Sequence, residues 1–143
     1  MATRRDNLGL VTINSQLYAI GGRTRNADGS TVNGTLASVE AFNPATGMWS
    51  SRDPMPTGRR AFGLGTIDGK IQVFGGENAP GGDGVYEAGE EYDPVTNSWR
   101  VITPMTRGRH GSASATVGVR VYIMGGSVQS GATGSTAHES FVY

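Results

Sequence analysis

Apolar and polar residues trade places along this chain in short runs that stop at paired glycines. Three stretches share one layout: "LGLVTINSQLYAIGG" (Leu8–Gly22), "FGLGTIDGKIQVFGG" (Phe62–Gly76) and "SASATVGVRVYIMGG" (Ser112–Gly126). Each joins two apolar or β-branched runs through a two-residue turn and ends on a glycine pair: Gly21-Gly22, Gly75-Gly76 or Gly125-Gly126. The turns are Asn14-Ser15, Asp68-Gly69 and Gly118-Val119. Asp-Gly between strand-like runs is a strong hairpin signal, and "IQVF" and "VYIM" carry the β-branched and aromatic residues that buried strands use. No segment holds a 3.6-residue apolar period, so the pattern predicts essentially no helix.

A polar loop follows each glycine pair (Arg23–Ala37, Glu77–Ala88, Ser127–Ala137), and then a third strand, "SVEAF", "GEEY" or "HESFVY". In the first two units Asn43-Pro44 and Asp93-Pro94 turn tightly into a fourth strand, "MWSSR" or "SWRVI". Pro44 and Pro94, Trp49 and Trp99, and Met55 and Met105 are each 50 residues apart. Fixed-period self-similarity signals a repeat architecture. The expectation is an all-β single domain of three antiparallel units, at about residues 4–57, 58–107 and 108–143. Unit three stops at "HESFVY" without the Asp-Pro turn, the Trp or a fourth strand, so eleven strands are expected.

Composition narrows the function classes. The 12 basic and 12 acidic residues cancel, which gives no long-range pull toward nucleic acid or an anionic membrane. There is no cysteine, hence no disulfide, no thiolate nucleophile and no cysteine metal site. "MATRRDN" leads into no apolar segment, so neither a signal peptide nor a membrane span is read, and the compartment stays open. The 23 glycines sit at repeated positions and mark turns, not low complexity.

The glycine pair ending the second strand, the aromatic before Asn/Asp-Pro, the following Trp and the Pro-Met together resemble kelch repeats, across almost the whole chain. The resemblance implies blades of a β-propeller, each four-stranded, and closed propellers usually hold four to eight. Three cannot close, so the chain is expected to be half of a six-bladed ring. A homodimer is expected to complete the six blades; another chain supplying the remaining blades is the alternative. The start at a first strand and the stop at a third also fit an excerpted or designed stretch of repeats.

Few residues offer chemistry. "GLGTID" (Gly63–Asp68) begins like a dinucleotide fingerprint but lacks its third glycine and opens no helix. His110 and His138 are 28 residues apart, without metal-ligand spacing. Trp49, Trp99 and the glycine pairs read as structural, the tryptophans as packing between blades. No cofactor or metal is expected, and the radical copper chemistry of some kelch proteins needs a cysteine.

The arginines are more informative. Arg5, Arg59 and Arg109 occupy one equivalent position before the first strand of each unit, and antiparallel alternation puts them on the side where Arg23, Glu77 and Ser127 follow the glycine pairs. They are expected at the mouth of the central channel, a surface on which kelch proteins commonly take partners and where guanidinium forks suit acidic side chains. Glu40, Glu90 and Glu139 also repeat once per unit, on the strand face of Phe42, Tyr92 and Phe141. Buried carboxylates need partners, so structural Arg–Glu pairing is favoured over a ligand clamp. The leading functional reading is a non-enzymatic protein- or peptide-interaction module, with an acidic peptide or protein as partner. The alternative is a carbohydrate-binding or sugar-modifying propeller of the kind that acts on sialic acid, using Arg59, Arg109, Glu77 and His110.

Overall fold

The computed structural model describes residues 1–26, 28, 30–77, 84–129, 131 and 134–142. Among the described residues there are thirteen strands. Unit one is a four-stranded antiparallel sheet, β1 (Gly9–Ile13), β2 (Gln16–Ile20), β5 (Val39–Asn43) and β6 (Met48–Arg52), in the order β1-β2-β5-β6. Unit two repeats it with β7 (Gly63–Ile67), β8 (Lys70–Phe74), β9 (Gly89–Asp93) and β10 (Ser98–Ile102). Unit three has three strands, β11 (Ala113–Val117), β12 (Arg120–Met124) and β13 (His138–Val142). Among the described residues no helix is long and apolar enough to cross a membrane.

The count exceeds eleven because Arg23–Ala37 is not an unstructured polar loop. It folds into a small antiparallel hairpin, β3 (Arg23–Arg25) with β4 (Thr31–Thr35), pairing Arg23 with Thr35 and Arg25 with Thr31. Of the other two loops, residues 78–83, 130 and 132–133 lie outside the described residues.

The hairpins have the turn chemistry their sequences call for. Asn14 and Ser15 both take positive φ (49° and 61°), as do Asp68 and Gly69 (50° and 72°), which matches the right-handed strand twist. Asn43 and Asp93 fold their side chains back onto the N–H two residues on, at Ala45 (2.9 Å) and Val95 (2.8 Å), and so shape the turns into β6 and β10.

Two apolar cores lie between units, not within them. The first joins Ile13, Tyr18, Ile20 and Val39 of unit one to Phe62, Ile71, Val73 and Tyr92 of unit two. The second joins Ile67 and Phe74 of unit two to Val121, Ile123 and Phe141 of unit three, with Phe74 and Phe141 stacked at 4.1 Å. A sheet apolar on both faces has to be covered on both. Trp49 and Trp99 are half-buried. Each lies against the aromatic of its own third strand, Trp49 on Phe42 and Trp99 on Tyr92 (centroids 5.1 Å apart in both pairs). Trp99 also reaches unit one, where its indole N–H donates to the Asp53 carbonyl (2.9 Å).

Candidate functional site

Each unit is entered through a segment ending in arginine, Met55-Pro56-Thr57-Gly58-Arg59 or Met105-Thr106-Arg107-Gly108-Arg109, and Met1-Ala2-Thr3-Arg4-Arg5 follows the same course. The segment closes the seam behind one unit and inserts its arginine into the next. Gly22 N–H donates to the Arg59 carbonyl and Gly76 N–H to the Arg109 carbonyl (both 2.9 Å). Met55 and Met105 bury themselves over the first glycine of each pair, Gly21 and Gly75.

The guanidinium groups point into the blades, away from the channel mouth. Arg5 lies 2.6 Å from Glu40, Arg59 2.7 Å from Glu90 and Arg109 2.7 Å from Glu139. Their side chains are 0%, 0% and 1% exposed. Arg5 also donates to the Gly21 and Ser38 carbonyls (3.0 and 2.9 Å), and Arg59 to those of Gly75 and Ala88 (3.0 and 2.8 Å). Arg109 reaches the Ile123 carbonyl (3.4 Å). One planar cation thus bridges the carbonyl at the glycine pair or strand end to the carboxylate of the third strand, a geometry lysine's point charge cannot fill.

The three carboxylates are not equivalent. Glu40 accepts from Ala2 N–H (2.7 Å) and Glu139 from Thr106 N–H (2.8 Å). The matching position in unit two is Pro56, which has no N–H to give, and Glu90 Oε2 is left without a hydrogen-bond partner. Burial pushes the Glu40 and Glu139 carboxyls up. The backbone donors and the arginines outweigh it, holding both below the ordinary carboxylate value of 4.5. Burial drives the Arg59 guanidinium down, opposed by Glu90. Because the folded values are depressed, this stabilisation is fully present above pH 4.5 and is lost as pH falls through the folded values. The melting temperature is therefore expected to stay level between about pH 7 and 5 and then to fall steeply, with the fall blunted in Glu40→Gln. An acid limb as steep in that variant as in the wild type would refute the assignment.

The rim of the blades is built by the residue after each arginine, a position the sequence reading passed over. Asp6 pairs with Arg23, Arg60 with Glu77 and His110 with Ser127, each through a backbone bridge between the start of a first strand and the exit of a second. Asp6 binds Arg23 (2.6 Å) and Arg25; Arg60 binds Glu77 (3.1 Å). His110 Nδ1 lies 3.5 Å from the same Glu77 oxygen, tying unit three to unit two. Ser127 Oγ donates to the Gln129 carbonyl (2.7 Å). The structure thus keeps Arg23, Glu77 and Ser127 together with Asp6, Arg60 and His110, and separates them from the three buried arginines. The available signal was alternation itself: neighbours in an extended chain face opposite ways, so Asp6, Arg60 and His110 turn to the other side of the chain from Arg5, Arg59 and Arg109. At unit one a cavity of about 160 Å³ is lined by Arg4, Arg5, Asp6 and Arg25.

Four-stranded sheets side by side, each covering its neighbour's face around a common inner edge, define a β-propeller. The Kelch motif model matches residues 4–56 and 58–106, and the chain belongs to the kelch-repeat family. It is 36% identical over 72 residues to Kelch-like ECH-associated protein 1A of Danio rerio, a match covering 50% of this chain and 12% of that protein. It is 35% identical over 83 residues to the human Influenza virus NS1A-binding protein, covering 58% of this chain and again 12% of the relative. The chain therefore spans a small part of these relatives' length. Among solved structures it resembles YjhT, with a TM-score of 0.75 at 22% identity, over 87% of this chain and 45% of that one.

Proposed function

We propose that this chain is a non-enzymatic interaction module whose rim takes an acidic segment of a partner protein, with the ring completed by a second copy or by other blades. The Arg–Glu pairs have a structural role in this reading, and the ligand contacts pass to residues beside them. The observation that carries it is the cavity at unit one, where three guanidinium groups meet one carboxylate. Arg5 is spent on Glu40, but Arg4 is exposed and Arg25 is 43% exposed, and together they outweigh Asp6. The relatives' names point the same way, since one is called a binding protein for a viral protein.

A fluorescein-labelled Glu-rich peptide, followed by anisotropy, tests this. The Arg4→Ala/Arg25→Ala double variant is expected to lose at least about tenfold in affinity at low salt, with less loss as salt screens the contact. Its melting temperature should not move. Equal binding by variant and wild type would overturn the reading. The second reading, a carbohydrate-binding or sugar-modifying propeller, draws on the Arg60–Glu77–His110 cluster. Sialosides retained on a glycan array, with no peptide bound, would favour it.

A further inference from the structure

Three rim positions are equivalent by sequence and by pairing, and two of them carry permanent charges. Asp6 faces Arg23 and Arg60 faces Glu77, each across its backbone bridge, so units one and two close their own rim with ion pairs of opposite polarity. Unit three sets His110 opposite Ser127, whose hydroxyl has no charge to offer. The imidazole reaches instead into the neighbouring unit, where its Nδ1 lies 3.5 Å from Glu77 Oε1. Of the three rim side chains, it is the imidazole whose charge ordinarily changes between about pH 5 and 8.

Both ring nitrogens face acceptors. Nε2 lies 3.0 Å from the Gln129 carbonyl, which can only accept, so Nε2 carries a hydrogen. Nδ1 faces a carboxylate oxygen. A neutral imidazole has a single N–H, and with that hydrogen on Nε2 it turns a lone pair toward Glu77. The imidazolium carries hydrogens on both nitrogens and meets both neighbours with the right sign. The side chains of His110 and Glu77 are only 14% and 10% exposed, so solvent and salt screen this contact less than a surface pair.

The groups that meet the ring come from both units. From unit two, Arg60 Nε donates to the same Glu77 oxygen (3.1 Å). Arg60 opposes a charge on His110, and Glu77, in contact with both cations, offsets it. From unit three, Ser127 Oγ donates to the same Gln129 carbonyl (2.7 Å), and the backbones of His110 and Ser127 hold each other through two hydrogen bonds (2.9 and 2.8 Å). The ring is therefore tethered to unit three in either charge state, by its backbone and by Nε2–H. What the charge decides is the contact with unit two. Loss of the proton does not strand Glu77, because Arg60 stays bonded to it, so the change is local and global melting stays level.

We infer that His110 is a proton-operated clasp on the rim, tying unit three to Glu77 of unit two when the imidazole is charged and releasing it when the imidazole is neutral. The tie is present at low pH and is lost as pH rises through the titration of the ring. At the same time the rim gives up one positive charge beside Arg60. Acidic conditions thus present a partner with a closed, more cationic rim. The inference draws on the reading of the rim as a partner surface only for what this change is presented to.

Carbon-13 NMR on the 143-residue protein, labelled in its glutamate side chains, tests the clasp. The Glu77 carboxyl signal, assigned by its loss in Glu77→Gln, is expected to move through a step between about pH 8 and 5 that coincides with the step of the His110 ring protons. His138→Gln, at an exposed position, leaves one imidazole and makes the ring step unambiguous. His110→Gln should abolish the Glu77 step and leave the signal at its high-pH position. His110→Arg, a permanent cation, should hold it at the low-pH position throughout. No Glu77 step in the wild type overturns the inference, and so does a step that persists unchanged in His110→Gln. The wild-type titration decides by itself where a variant fails to fold. No peptide enters the experiment, so failure of the acidic-segment reading leaves the clasp standing, and a missing step leaves that reading standing.

Discussion

Arg59→Ala is expected to cost about 3–5 kcal/mol of stability, the range for removing one partner of a buried ion pair. The guanidinium is wholly enclosed, holds the Gly75 and Ala88 carbonyls and neutralises Glu90, itself 2% exposed. Truncation strands a carboxylate and two carbonyls that are buried away from bulk water. Glu90 has less help than its counterparts, because Pro56 gives it no backbone donor. Since whole domains are stable by about 5–15 kcal/mol, the variant sits near the limit of folding. Chemical denaturation measures the loss. Removing both charges, in Arg59→Met/Glu90→Leu, should recover a substantial part of it, because a buried pair is often worth little against apolar residues of like size. A loss below about 1 kcal/mol for Arg59→Ala would refute the structural role and return this arginine to the ligand-binding reading.

The second large effect concerns the glycine pairs. Gly75 has φ +68°, and a Cβ there would lie 2.5 Å from the Arg109 carbonyl and 3.0 Å from Met105 Sδ. The first is backbone held by Gly76 N–H at 2.9 Å, so it cannot step aside without opening the seam between units two and three. Gly75→Ala is expected to lose about 3–5 kcal/mol, the left-handed conformation supplying about 1–2 of it and the clash the rest. Gly69→Ala is the control. Its φ is +72°, but nothing lies within 4 Å of its Cβ position, so the cost should be the conformational part alone. Equal losses at the two positions would show that the glycine pairs are required by turn geometry and not by close approach of the next unit.

Much of this fold is written locally. Strand positions, hairpin turns and the 50-residue repeat follow from apolar alternation, from Asn-Ser and Asp-Gly at positive φ, and from prolines that force a turn. Such features involve residues a few positions apart, and a sequence states them openly. The β3–β4 hairpin escaped because its sequence carries no apolar alternation; Asp28-Gly29 between threonine-bearing runs was its only signal. Equivalence of Arg5, Arg59 and Arg109, and of Glu40, Glu90 and Glu139, was also legible, and with it the arithmetic of three cations against three carboxylates.

What the sequence by itself determined is the unit and its repetition; what only the tertiary structure decided is which side of each seam a residue serves. Whether an arginine lines a channel or fills a blade depends on carbonyls 16 and 29 residues away, at Gly75 and Ala88 for Arg59, and on a carboxylate beyond them. Desolvating a guanidinium is tolerable only when all of these converge. That convergence comes from packing between units, so residues one position apart, such as Arg59 and Arg60, end up buried against different carboxylates, Glu90 and Glu77.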